Sequence, residues 1–200
     1  MSKRRRAVVF ALCLLGAAVL VLLERTGAVP TWRPLPPDLE KYHGKAFTIV
    51  NIVDGDTLDI DIPDGKHEHT RIRLLGIDTP ETRGRKGAPA YFGTEAAAYA
   101  TKLAMGKRAE VYLDEQGPTR GKYGRLLAYV KLTDDRFLNE VLLTEGYAYA
   151  DLRFRHPLYN KYQQLEAVAR KQSKGLWENV SREQLPQWLR EKKPTLMLDR

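Results

Sequence analysis

The stretch from Phe47 to Ile77 constrains the fold more than any other part of the chain. Phe47-Thr48-Ile49-Val50-Asn51-Ile52-Val53 is an apolar, β-branched run that stops at Asp54-Gly55, a strong turn dipeptide. Thr57-Leu58-Asp59-Ile60-Asp61-Ile62 then alternates with period two, which sends Leu58, Ile60 and Ile62 inward until Pro63-Asp64-Gly65 breaks the pattern. A third strand, Thr70 to Ile77, follows a histidine-containing loop and ends at Asp78-Thr79-Pro80-Glu81. Further strands near Glu110 to Leu113 and Leu126 to Leu132 bring the expected sheet to five. Helical spacing appears in Ala96, Tyr99, Ala100, Leu103 and Ala104, in Leu138, Val141 and Leu142, and in Leu158, Tyr162, Leu165 and Ala169, each series closed by a glycine. Strands come early and helices late, so the expected class is α+β.

Composition narrows the partners. With 43% hydrophobic and 29% charged residues, a chain of 200 residues predicts one packed domain with terminal extensions and excludes a wholly disordered or collagenous chain. Cys13 is the single cysteine, which rules out an intrachain disulfide and any cysteine-based metal cluster. Lys3, Arg4, Arg5 and Arg6 precede an uncharged apolar run from Ala7 to Leu23. That pattern predicts an export signal, read as an uncleaved single-pass membrane helix over residues 1–25 that places the rest of the chain outside the cytoplasm. Cleavage near Thr26-Gly27-Ala28, giving a secreted protein, is the alternative. Residues 26–44, with Pro30, Pro34, Pro36 and Pro37, read as a linker. Residues 45–178 read as the folded domain and residues 179–200 as a charged tail, with one amphipathic turn around Leu185, Trp188 and Leu189. Setting aside the four N-terminal charges lowers the formal excess from +8 to +4, which permits nucleic-acid binding without requiring it.

Chemistry concentrates at strand ends. Asp56 lies at the first turn, and Asp78 and Glu81 lie where the third strand meets Pro80. Convergence of these ends would gather hard oxygen ligands suited to Ca²⁺ or Mg²⁺, with Thr79 able to add a carbonyl. Arg73 sits on the third strand, and Arg125 follows Gly124 in Lys122-Tyr123-Gly124-Arg125. An arginine fork matches a phosphate and stabilises charge growing on its oxygens. Taken singly, the aspartates also suit turns and either arginine a surface ion pair.

Three motifs in order change that balance: Val53-Asp54-Gly55-Asp56-Thr57, Arg73-Leu74-Leu75-Gly76-Ile77-Asp78-Thr79-Pro80-Glu81 and Lys122-Tyr123-Gly124-Arg125. With Leu138-Asn139-Glu140, Gly146-Tyr147-Ala148 and Gly175-Leu176-Trp177, the chain from Lys45 to Trp177 resembles the staphylococcal nuclease-like (thermonuclease) family. The resemblance implies a five-stranded OB-type β-barrel with three helices. It implies a calcium-dependent nuclease that hydrolyses phosphodiester bonds of DNA and/or RNA. It also implies Asp56 and Asp78 as calcium carboxylates, Thr79 as a carbonyl ligand, Glu81 beside the attacking water, and Arg73 and Arg125 on the phosphate. Lys122, Tyr123 and Phe154 are the expected substrate contacts.

Where the family has two tyrosines after its second helix, this chain has Leu152 and Phe154, which leaves base stacking to Phe154, Tyr149, Tyr123 or Arg153. For each aromatic, core packing is the competing expectation. Arg83, Arg85 and Lys86 form a basic loop able to track a phosphate backbone or simply to be solvated. His67 and His69 receive no role. The alternative function is a noncatalytic nucleic-acid- or protein-binding module of the same fold, which would not need all five of Asp56, Arg73, Asp78, Glu81 and Arg125. Expected partners are the nucleic-acid substrate and, through the N-terminal helix, a membrane; no obligate protein partner is evident.

Overall fold

A computed structural model describes residues 3–25, 35–83 and 87–196 of the chain. It divides into two compact units, Met1–Pro36 and Pro37–Arg200. The first contains helix α1 (Lys3–Arg25). Among the described residues no helix is long and apolar enough to cross a membrane, so the expected spanning helix is not supported. Pro30 and Pro34 of the expected linker lie outside the described residues.

The second unit begins ahead of Lys45. Pro37–Tyr42 forms α2, with Leu39 and Tyr42 buried in the core. A proline at the first helical position loses nothing, because that N–H has no partner inside a helix. The Tyr42 hydroxyl is 3.1 Å from Thr70 Oγ1 and fastens α2 to the barrel. The last part of the stretch read as a linker is therefore a packed helix.

The strands are β1 (Lys45–Asp54), β2 (Thr57–Ile60), β3 (Thr70–Leu74), β4 (Ile77–Asp78), β5 (Arg108–Tyr112), β6 (Leu126–Leu132) and β7 (Tyr149–Ala150). Five of them close a barrel in the order β1-β2-β3-β6-β5. Its pairs are antiparallel except β3 with β6. Register breaks in β1 between Ile49 and Asn51 and between Ile52 and Asp54 bend the strand. Its first half can then pair with β5 and its second half with β2. Ile49, Leu58, Ile60, Ile72, Leu74, Val111, Leu126 and Val130 fill the interior, following the period of two. Helices α3 (Gly93–Ala104), α4 (Leu138–Thr144) and α5 (Tyr159–Lys171) complete the α+β barrel expected from sequence.

One departure matters for the site. The third strand was expected to run to Ile77, but β3 stops at Leu74 because Gly76 turns the chain at φ +79°. A Cβ at Gly76 would stand 2.4 Å from the His156 ring, so both the conformation and the space call for glycine. The chain leaves the barrel there, and β4 pairs with β7 instead. Asp78 thus sits on a two-residue strand beside the first hairpin turn.

Residues 179–200, read as a charged tail, put a second apolar cluster on the domain. Two short 3-10 turns (Gly175–Glu178 and Arg182–Gln184) and helix α6 (Gln187–Lys192) bring Val180, Leu185, Leu189 and Leu196 against Tyr149 and Trp177. Ser181 and Gln184 close a capping box that starts the second turn.

Candidate active site

The first turn is fixed by its own backbone. The Asp56 N–H donates to Asp54 Oδ1 at 3.2 Å, and the Leu74 N–H donates to the Asp56 carbonyl at 2.8 Å, which ties the turn to β3. The Asp56 side chain is only 1% exposed. Its Oδ2 accepts the Thr79 N–H at 2.7 Å, and its Oδ1 accepts the Thr57 hydroxyl at 3.1 Å. A buried carboxylate demands such donors.

Arg73 bridges the two aspartates. It pairs across β2–β3 with Thr57, and its guanidinium contacts both Asp56 Oδ1 and Asp78 Oδ1. Asp78 Oδ1 also accepts from Arg153 Nη2 at 2.9 Å, while Asp78 Oδ2 accepts the Trp188 indole N–H at 2.8 Å. Each carboxylate therefore has an outer oxygen held by an uncharged N–H and an inner oxygen on Arg73, which Asp56 shares with the Thr57 hydroxyl and Asp78 with Arg153. The two anionic oxygens, with the Thr79 peptide beside them, are hard donors of the kind a divalent cation takes, but the Arg73 guanidinium fills the point where they converge, so a cation there would have to displace it. No group of three or more His, Cys, Asp and Glu side chains capable of holding a metal occurs among the described residues. Any cation here must draw remaining ligands from backbone and water.

A cavity of about 380 Å³ opens in front of this pair. Arg73, Asp78, Glu81, Lys122, Tyr123, Arg125 and Phe154 line it together, so seven of the nine residues singled out from sequence share one wall. Asp56 and Thr79 lie behind, both buried, and reach it through Arg73 and Asp78. Glu81 is exposed at the rim, yet close enough to the wall that desolvation raises its pKa. The charges of Asp54 and Asp78 push it the same way, and Arg73 and Arg125 offset part of the effect.

Arg125 is aimed by a small closed loop. The Gly121 N–H donates to the Arg125 carbonyl and the Gly124 N–H to the Gly121 carbonyl, both at 2.9 Å, with Gly124 at φ +75°. Arg125 Nη1 then reaches Thr57 Oγ1 at 3.3 Å. Tyr123 and Phe154 are 76% and 65% exposed, so for these two the expectation of core packing fails. Cationic side chains flank both rings: Lys122 and Arg125 lie 5.7 and 5.8 Å from the Tyr123 centroid, and Arg153 lies 5.9 Å from that of Phe154. Tyr149 is corrected in the other direction. It is buried edge-on against Trp177 and Trp188 and cannot stack on a base. Leu152 packs half-buried on the same cluster. Arg83 is exposed, whereas Arg85 and Lys86 lie outside the described residues.

Sequence reasoning missed three participants. Arg120 forks onto Asp38 at 2.7 and 2.9 Å and onto Asp64 at 2.6 Å, and donates to the Gly124 carbonyl at 2.9 Å. Arg153 was considered only as a stacking surface, yet it grips Asp151 and Asp78. Trp188 lies 110 residues from its partner. No local pattern announces any of them.

Residues 71–179 match the family model described as staphylococcal nuclease homologue. The thermonuclease of Staphylococcus hyicus is 34% identical over 142 residues, which is 71% of this chain and 79% of that protein. The thermonuclease of Staphylococcus intermedius is 35% identical over 139 residues, 68% of this chain and 77% of its own. Endonuclease YncB of Bacillus subtilis is 37% identical over 101 residues, half of this chain and 46% of its own length. The match extends over more than half of the chain and includes the turn of β4, the Arg125 loop and all three covering helices, and the chain belongs to the staphylococcal nuclease family.

Proposed function

We propose that this protein is a calcium-dependent nuclease that hydrolyses phosphodiester bonds of DNA and/or RNA. The names of its relatives support nuclease activity. The observation that carries the reading is the convergence of Asp56 Oδ1 and Asp78 Oδ1 on one positive group at the wall that also bears Glu81 and Arg125. Asp56, Asp78 and the Thr79 carbonyl would hold calcium, which when bound supplies charge neutralisation for a phosphate and activation of a water. Glu81 stands on the same wall, placed to orient that water and accept its proton. Arg125 presents a fork to the phosphate, and Arg73, released from Asp56 and Asp78 when a cation takes those oxygens, would present a second; both stabilise the charge that grows on the phosphate oxygens during in-line displacement. Tyr123 and Phe154 offer exposed faces to flanking bases, each stack worth about 1–3 kcal/mol, and Lys122 adds a charge that tracks the backbone.

The test is cleavage of single-stranded DNA and of RNA by the full-length protein, in calcium and in chelator. Cleavage in calcium alone is the expected result. Binding without cleavage in both would select the noncatalytic module instead. We also propose that the domain works outside the cytoplasm, on the strength of the basic cluster Lys3 to Arg6 ahead of the apolar run from Ala7 to Leu23. Protease added to intact cells should then degrade it, and protection would refute the placement.

A further inference from the structure

The matched family region ends at residue 179, yet the chain beyond it returns to the site. Trp188, on α6, donates its indole N–H to Asp78 Oδ2 at 2.8 Å. Its ring is held on the face by the Arg153 guanidinium, 4.8 Å from the ring centroid, and at the edge by Tyr149, with centroids 6.5 Å apart. Buried Leu185 and Leu189 anchor the same segment to Trp177. The indole is thus not a loose surface group that happens to meet a carboxylate.

We infer that Trp188 is a positioning residue for the cation ligand Asp78. The inference rests on the reading of Asp78 as a calcium carboxylate. Indole is a donor only and carries no charge, so it can fix one carboxylate oxygen without competing electrostatically for the cation. Arg153, on the other oxygen, cannot do this. By occupying Oδ2, Trp188 leaves Oδ1 as the oxygen that faces Asp56 across Arg73. Asp56 has the same arrangement, its Oδ2 taken by the Thr79 N–H and its Oδ1 turned inward. The backbone just past β4 orients one ligand, and a side chain from the C-terminal extension orients the other. Outer partners of this kind typically set metal affinity by about 10–100-fold.

The deciding variant is Trp188→Phe in the full-length protein, which keeps an aromatic ring against Arg153 and Tyr149, though a smaller one, and removes the donor. Calcium binding by calorimetry should weaken about tenfold. The melting temperature in chelator should change little, and the calcium concentration giving half-maximal cleavage should rise by the same factor. Trp188→Ala should lower both calcium affinity and the melting temperature, since it also removes packing. In the wild-type protein, the indole N–H resonance of Trp188 should move on calcium addition while that of Trp177 stays in place. Unchanged calcium affinity in Trp188→Phe, or an unmoved Trp188 resonance, would reduce the residue to packing and leave the calcium reading intact. A wild-type protein that binds no calcium would overturn both.

Discussion

Arg120 donates a 2.9 Å hydrogen bond to the carbonyl of Gly124, the residue whose left-handed backbone aims Arg125 into the cavity. The same guanidinium pairs with Asp38 on α2 and with Asp64 in the loop after β2. One side chain thus joins α2, the second turn and the loop carrying Arg125. Arg120→Met retains the stem but leaves two half-covered carboxylates without their cation. We expect a loss of about 2 kcal/mol, intermediate between exposed and buried ion pairs, and a melting temperature lower by about 5 °C. Turnover should fall roughly tenfold because a small misplacement of a phosphate-binding group is costly. A variant that melts lower yet cleaves at the wild-type rate would separate the network from the site.

The network also predicts an acid response. The hydrogen bond from Arg120 holds the Asp38 carboxyl below its ordinary range, against an opposing effect of burial. An unfolded aspartate titrates near about 3.9. Stabilisation from this pair is therefore complete above that value and is lost as pH falls through the lower folded pKa. Melting curves of the wild type and Asp38→Asn should run parallel above about pH 5 and converge below about pH 4. A gap that stays constant down to pH 2.5 would show that Asp38 has no depressed pKa.

Gly55 is set by space. A Cβ there would lie 2.8 Å from Thr79 Cγ2 and Oγ1, inside any normal contact. Gly55→Ala must push back the residue whose N–H holds Asp56 Oδ2. Overpacking of this kind costs about 1–3 kcal/mol, and calcium affinity should weaken with it. Combining the change with Thr79→Ala, which removes both of the nearest atoms, should recover part of the stability. Wild-type calcium binding and stability in Gly55→Ala would show that the turn has room to shift.

The barrel was legible because strand alternation is local: Leu58, Ile60, Ile72 and Leu74 point inward as their spacing requires. What sequence could not display were contacts made by distant partners. The early end of β3 depends on the His156 ring beside Gly76. The α2 helix hides behind a proline-rich stretch, and the second cluster hides among charged residues that surround Leu185 and Leu189. The same division runs through the site. Asp56, Arg73 and Asp78 come from neighbouring turns and strands, so their meeting could be anticipated. Arg153 and Trp188 reach Asp78 across 75 and 110 residues, with nothing near them in sequence to say so.

Glu81 should be needed for rate and not for stability. Its pKa is raised by desolvation and by the Asp54 and Asp78 charges, so the folded protein disfavours its ionised form. A raised folded pKa means that this group favours folding most at low pH and opposes it increasingly as pH rises through the carboxylate range. Glu81→Gln removes the charge and keeps the shape. Turnover should fall by about 10²-fold or more, while the melting temperature at neutral pH should equal or slightly exceed that of the wild type. A marked drop in melting temperature would mean that Glu81 serves the fold.

Arg125→Lys separates charge from geometry. The wild-type guanidinium lies against the Tyr123 ring and reaches Thr57 Oγ1, so its plane is set before any substrate arrives. Lysine keeps the positive charge but offers no planar fork, and its single ammonium cannot contact two phosphate oxygens with that fixed geometry. If Arg125 stabilises charge that appears only in the transition state, turnover should fall by roughly 10²-fold or more. Substrate affinity, which depends on net charge near the phosphate, should change by less. Its salt dependence should be preserved, because the number of phosphate charges neutralised is the same. Steady-state kinetics at two ionic strengths decide the matter. Near-normal turnover in Arg125→Lys would reduce this arginine to an electrostatic guide and would leave Arg73 as the sole fork on the phosphate.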